Sequence, residues 1–213
     1  MPAGQVLELL AAAVQRERIT LHRPILVFGS APLQICVDPS FLSADVDVAI
    51  VGQTEIVKRL VESIGMGKGQ AAFYIEVVAE YIFRPGPNWR ARATLFQHGG
   101  VSFLFPAPLD ILLAKLRRLE EKDLRAFLLV IQKLDGPTED ELLHELKESY
   151  DLFSLQVGGR KSALWENTEK LWPRLYARTI NVQMEIIQPV LDAIAAAGAT
   201  QDYLTELKAR LGL

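Results

Sequence analysis

At 213 residues the chain has room for one domain or one and a half, and for a sizeable hydrophobic core. Half of its residues are hydrophobic and 23% are charged, which excludes a disordered composition; a net charge of −3, from 23 basic against 26 acidic residues, excludes a global attraction for nucleic acid and leaves only local basic patches. A single cysteine, Cys36, excludes an internal disulfide and fits a reducing cytoplasm, and no apolar run reaches the roughly 18–20 residues that span a bilayer.

The opening stretch, MPAGQVLELLAAAVQRERI, contains Glu8 and lacks the basic start of a signal peptide, so a cytoplasmic location without membrane contact is expected. Val6, Leu9, Leu10 and Val14 fall at helical spacing and predict a helix over residues 4–18. After His22-Arg23-Pro24, residues 25–28 read as a buried strand and residues 30–37 as a short helix, with Pro32 tolerated in its first turn. Asp38-Pro39-Ser40 forms a loop before a strand carrying Asp45. Residues 54–64 predict a helix capped by Thr54, with Ile56, Leu60 and Ile64 as its apolar stripe and Gly65 and Gly67 as its stop. Residues 73–83 are rich in β-branched and aromatic types and read as one strand. Past the Pro85-Gly86-Pro87-Asn88 loop, residues 91–97 and 101–105 predict a hairpin across His98-Gly99-Gly100. Pro106 and Pro108 punctuate the chain, and the domain boundary is expected there, giving domains 1–106 and 107–213. Beyond it every segment reads as helix: 111–119, 123–134, 138–150, 164–178, 182–197 and 201–211, with a break at Gly158-Gly159. The expected fold class is α/β, a sheet flanked by helices in the first half followed by an all-helical half.

The residues that point to chemistry lie between Pro24 and Ile50. In an extended strand Asp45 and Asp47 share one face, about 7 Å apart, while Val46 and Val48 take the other. Paired carboxylates repel and are costly to desolvate, and a divalent cation such as Mg²⁺, bound by hard oxygens, resolves both problems. Gly29 permits a tight turn with close backbone approach, and the Ser30 hydroxyl with nearby backbone N–H groups can hold an anion. Together these suggest metal-dependent handling of a nucleoside triphosphate. A third carboxylate comes from the 73–83 strand, where Glu76 and Glu80 share a face; Glu76, between Ile75 and Val77, is the better candidate and Glu80 reads as structural. Among basic residues, Lys115 and Arg118 are neighbours on one helix face and Lys122 begins the next helix beside them, placing positive charge suited to a triphosphate. The alternative for this group is a solvated helix surface with Glu120 and Glu121 as partners. Arg84, Arg90 and Arg92 surround the proline loop, His22, His98 and His144 have no metal-ligand spacing, and no Walker A or Gly-x-Gly-x-x-Gly loop occurs.

The order Val27-Phe28-Gly29-Ser30, then Ser43-Ala44-Asp45-Val46-Asp47-Val48, resembles the DNA polymerase β-like nucleotidyltransferase superfamily, closest to small prokaryotic members of the type IV toxin–antitoxin kind. The resemblance covers roughly residues 20–130 and extends to PLDILLAKLRRLEEKDLRAF. It implies a nucleotidyltransferase-type mixed β-sheet, with Asp45, Asp47 and Glu76 binding two Mg²⁺ (Glu at the third position where Asp is usual) and Ser43 as the small hydroxyl residue near the acidic pair. Gly29, Ser30 and the Lys115, Arg118 and Lys122 group would hold the NTP substrate. The Arg often found just before the acidic pair is absent, with Phe41 and Leu42 in that region, and the 14-residue spacer is long for the family. The implied reaction passes a nucleoside monophosphate to a hydroxyl of a protein, an RNA or a small molecule. The alternative is a catalytically silent fold kept as a binding or regulatory protein, acting with a partner protein or as a homodimer.

Overall fold

The computed structural model describes residues 2–41, 43, 45–150, 163–211 and 213. In chain order the first unit contains α1 (Ala3–Arg16), β1 (Ile25–Phe28), α2 (Ala31–Cys36), β2 (Asp45–Ala49), α3 (Thr54–Ser63), β3 (Tyr74–Val77), a single 3₁₀ turn (Glu80–Ile82), α4 (Trp89–Arg92), β4 (Thr94–His98) and β5 (Val101–Phe105). The strands form one mixed sheet in the order β3-β2-β1-β5-β4. β1 runs antiparallel to β2 and parallel to β5, β2 runs parallel to β3, and the β4–β5 hairpin is antiparallel.

One face of this sheet is apolar over β1, β2, β3 and β5, because every second residue of those strands is, whereas β4 is exposed along its length. Val27, Val46, Val48, Ile75 and Phe103 are buried against Val6 and Leu10 of α1 and Val57, Leu60 and Val61 of α3. The other face of β2 carries Asp45 and Asp47, both half-buried. The sheet therefore divides the chemistry of its strands: hydrocarbon toward the two helices, carboxylates away from them.

Several local expectations give way to tertiary context. The stripe of α3 is Val57, Leu60 and Val61, and Ile56 is 44% exposed, because the sheet lies one residue further round the helix than the Ile56–Leu60–Ile64 spacing suggests. The N-cap of α3 is Gln53 rather than Thr54; the Thr54 hydroxyl donates to the Ile50 carbonyl instead, at 3.0 Å. The strand expected over residues 73–83 ends at Val77, and Glu80 lies in the 3₁₀ turn, where Arg90 pairs with it. Glu76 and Glu80 thus do not share a strand face.

The second unit takes in Pro85–Pro87 and then, from Leu112 within α5 (Pro108–Leu116), continues through α6 (Glu121–Leu134), α7 (Glu139–Tyr150), α8 (Ala163–Tyr176), a π-helical turn (Gln183–Ile187), α9 (Gln188–Ala196) and α10 (Gln201–Leu211). Its core includes Leu116, Phe127, Val130, Leu142, Leu146, Leu171, Trp172 and Ile186. Two reciprocal caps start its helices. At the start of α6 the Asp123 carboxylate accepts from the Glu120 N–H at 3.0 Å and the Glu120 side chain accepts from the Asp123 N–H; before α7 the Glu141 Oε2 accepts from the Thr138 N–H at 2.8 Å and the Thr138 hydroxyl oxygen accepts from the Glu141 N–H at 3.3 Å. The Gly158-Gly159 break expected from sequence lies outside the described residues. No helix among the described residues is long and apolar enough to cross a membrane.

Candidate functional site

The site is built where β1 ends. Four buried residues, Ile25–Phe28, carry the chain to Gly29, which turns it with φ +71° before α2 begins. Phe28 pairs with Asp47 across the antiparallel β1–β2 ladder, so the turn passes against the Asp47 carboxylate. A Cβ at residue 29 would overlap Asp47 Oδ2. Glycine is required here twice: for a left-handed backbone and for the space a carboxylate already fills.

On the other side of β2, the parallel register sets Asp47 beside Glu76 and Asp45 beside Tyr74. Asp45, Asp47 and Glu76 each offer one carboxylate oxygen, and these three atoms lie within 4.8 Å of one another. All three residues are half-buried. At that separation each pair of charges repels by about 3 kcal/mol at the effective dielectric near a protein surface. The donor set is hard oxygen on fixed strands, and it fits a divalent cation.

Neighbouring groups fix the acids. The Ser43 hydroxyl lies 2.8 Å from the Asp45 carbonyl and 3.3 Å from Asp45 Oδ1 and donates toward both. The Tyr74 hydroxyl donates to Asp45 Oδ2 at 3.4 Å. Burial, and after it the Asp45 charge, pushes the Tyr74 phenol above its ordinary value, so it stays a donor. Lys68 Nζ lies 3.0 Å from Glu76 Oε1 and 6.0 Å from the centre of the Tyr74 ring. The hydrogen bond to Glu76 raises the Lys68 ammonium above its ordinary value and keeps it charged.

The structure therefore brings Gly29, Asp45, Asp47, Glu76 and Ser43 together in the first unit, with Ser30 next in chain at the same corner. Lys68 and Tyr74 were missed by the reading of the sequence. Tyr74 had a legible signal, since it stands two residues before Glu76 and so shares its strand face. Lys68 had none, because Gly67-Lys68-Gly69 reads only as a turn.

The other candidates have partners of their own. Lys115 and Arg118 meet at Asp123 in the helical unit: Lys115 Nζ donates to Asp123 Oδ1 at 2.9 Å, and Arg118 donates to both Asp123 oxygens at 3.0 Å. Burial pushes the Asp123 carboxyl up, but the Arg118 hydrogen bond and the Lys115 charge outweigh it and hold the group below its ordinary value. Lys122 Nζ lies 3.4 Å from Glu120 Oε2. Around the proline loop, Arg90 stacks on Trp89 with 4.5 Å to the ring centre and pairs with Glu80, while Arg92 donates to Asp110, 2.6 Å from its Oδ1.

Against known proteins, one family model matches residues 5–170, well over half of the chain; its description is "Nucleotidyltransferase of unknown function (DUF6036)". No curated protein and no solved structure matches the chain.

Proposed function

The chain belongs to this nucleotidyltransferase family, and from that premise we propose that it transfers a nucleoside monophosphate from an NTP to a hydroxyl acceptor in a Mg²⁺-dependent reaction. The observation that carries the reading is the convergence of Asp45, Asp47 and Glu76 oxygens within 4.8 Å, beside a glycine whose missing Cβ makes room for Asp47. When bound at these acids, divalent cations neutralise triphosphate charge and lower the pKa of an attacking hydroxyl.

The chain's own groups supply position. Asp45 and Asp47 are held by β2, with the Ser43 and Tyr74 hydroxyls donating to the Asp45 carboxylate, so the acids are set before any ligand arrives. The Gly29–Ser30 corner offers its backbone and a hydroxyl next to Asp47, where triphosphate oxygens would be received. The phosphate-binding role expected of Lys115, Arg118 and Lys122 requires those side chains to leave Asp123 and Glu120; the contacts of Lys115 and Arg118 support holding α5 to the start of α6, and Lys122 pairs with the α6 cap residue Glu120.

A second reading, a catalytically silent binding or regulatory protein such as a toxin–antitoxin component, is favoured by Lys68, a cation of the chain itself resting on Glu76. Isothermal titration with each common NTP, with and without Mg²⁺, decides between them. The enzyme reading expects Mg²⁺-dependent binding that weakens by about tenfold or more in Asp45→Ala, the scale of one lost charged contact. No binding of any NTP by the unaltered chain in the presence of Mg²⁺ would overturn it.

A further inference from the structure

Lys68 stands at the rim of the acidic site. Its Nζ lies 3.0 Å from Glu76 Oε1 and 6.0 Å from the centre of the Tyr74 ring, and both of those residues belong to the carboxylate face of β3, opposite Asp47 and Asp45. Glu76 in turn offers an oxygen within 4.8 Å of oxygens on Asp45 and Asp47. The turn that carries Lys68 is held by its neighbours. The Gln70 N–H donates to the Gly67 carbonyl at 2.9 Å, and the Gln70 side chain accepts from the Gly67 N–H at 2.8 Å and donates to the Glu62 carbonyl at 3.3 Å. The Lys68 side chain is therefore free of any part in shaping that turn.

An ammonium carries several N–H donors, and a carboxylate accepts on both of its oxygens. The Lys68 side chain is 67% exposed, so its bond to Glu76 leaves donors that face solvent. Glu76 can likewise keep Lys68 on one oxygen and turn the other to the site. Lys68 can thus meet a ligand without leaving its partner.

Its position says which part of a triphosphate it would meet. β1 and β3 flank β2 on opposite sides, so the Gly29–Ser30 corner borders the acids from the β1 side and Lys68 borders them from the β3 side. A triphosphate received at the corner by its terminal phosphates presents the α-phosphoryl group at its other end. Negative charge on the oxygens of the transferring phosphoryl group is what a preorganised cation stabilises. Lys115, Arg118 and Lys122 are paired with Asp123 and Glu120, whereas Lys68 is a cation already in place at the acids. We propose that Lys68 is a catalytic residue of the nucleotidyl transfer, donating to a non-bridging oxygen of the α-phosphoryl group while held by Glu76. This rests on the nucleotidyl-transfer reading above.

The test compares Lys68→Gln with the unaltered full chain by calorimetry, with Mn²⁺ alone, Mg²⁺–pyrophosphate and Mg²⁺ with each common NTP as titrants. Mn²⁺ is expected to bind as well or more tightly, because a positive charge beside the acids is gone. Pyrophosphate, which has no α-phosphoryl group, is expected to keep its affinity. NTP binding is expected to weaken about tenfold, and Lys68→Arg to recover most of the loss. Transfer of label from α-phosphorus-labelled NTP to acceptors of a cell extract, at saturating NTP, is expected to fall by about a hundredfold or more. Weaker Mn²⁺ binding is what a merely structural hold on Glu76 predicts, and it overturns the proposal. So does NTP binding or label transfer that is unchanged or improved, the result for a cation that only shields the acids, and so does equal weakening of pyrophosphate and NTP. Absence of NTP binding by the unaltered chain removes the nucleotidyl-transfer reading as well, whereas NTP binding indifferent to Lys68→Gln removes the role of Lys68 alone.

Discussion

Gly29→Ala, compared with Gly52→Ala, isolates what the corner glycine does. Both glycines have positive φ, +71° and +78°, so each substitution forces an alanine into the left-handed region. That costs about 1–2 kcal/mol. For a chain of this size it lowers Tm by about 2–8 °C. The two differ in surroundings. Nothing lies within 4 Å of a Cβ built on Gly52, whereas one on Gly29 overlaps Asp47 Oδ2 and stands 3.1 Å from Asp47 Cγ. In Gly29→Ala the carboxylate must swing away, and a misplaced ligand weakens a metal site by about 10–100-fold. Thermal melting over a series of Mg²⁺ or Mn²⁺ concentrations reads both effects, because a cation that binds only the folded state raises Tm by an amount that grows with the logarithm of its concentration over Kd. Similar losses of Tm without metal are expected for the two variants, with the metal-dependent rise kept in Gly52→Ala and largely lost in Gly29→Ala. If Gly29→Ala keeps the full metal response, or Gly52→Ala loses it equally, the close approach to Asp47 is not what shapes the site.

In the helical unit, Asp123 is fully buried and held below its ordinary value of 3.8, so its stabilising contribution is present above the unfolded pKa and lost as pH falls through the folded one. Urea melts between about pH 7 and pH 3 should therefore place its share of acid destabilisation below about pH 4. Asp123→Asn should remove that share and cost about 3–5 kcal/mol near neutrality, because the buried Lys115 loses its counter-charge. Thr138→Ala removes one half of the reciprocal cap before α7 and should cost about 1 kcal/mol, seen as a lower urea midpoint at unchanged slope.

The parts of the fold legible in the sequence are those whose cause is local. Ile25–Phe28 is bounded by Pro24 and Gly29, and the β5 strand and α10 have the bounds their patterns suggest. Where a neighbour decides, local pattern fails. Ile56 carries the right spacing for a core residue, yet the sheet meets Val57 and Val61. Residues 78–83 have strand-like composition, but the chain leaves the sheet after Val77, and Phe83 packs instead on Phe28 and Trp89, with ring centres at 5.2 and 5.4 Å.

The acidic site shows the same division, and it also shows why the readable half suffices to place the rest. The Asp45–Asp47 face follows from strand period alone, but the meeting with Glu76 depends on the β2–β3 register, which no single strand encodes. That register is set by the core: Val46 pairs with Ile75, and both are fully buried. A slip of one residue would turn Ile75 out and drive Glu76 into the layer occupied by Leu10, Val57 and Val61. Burying that unpaired carboxylate costs far more than the mutual repulsion of the three acids at 4.8 Å. The apolar side of β2 and β3 thus holds like charges together on the other side, and the electrostatic strain this leaves is what a bound cation would relieve.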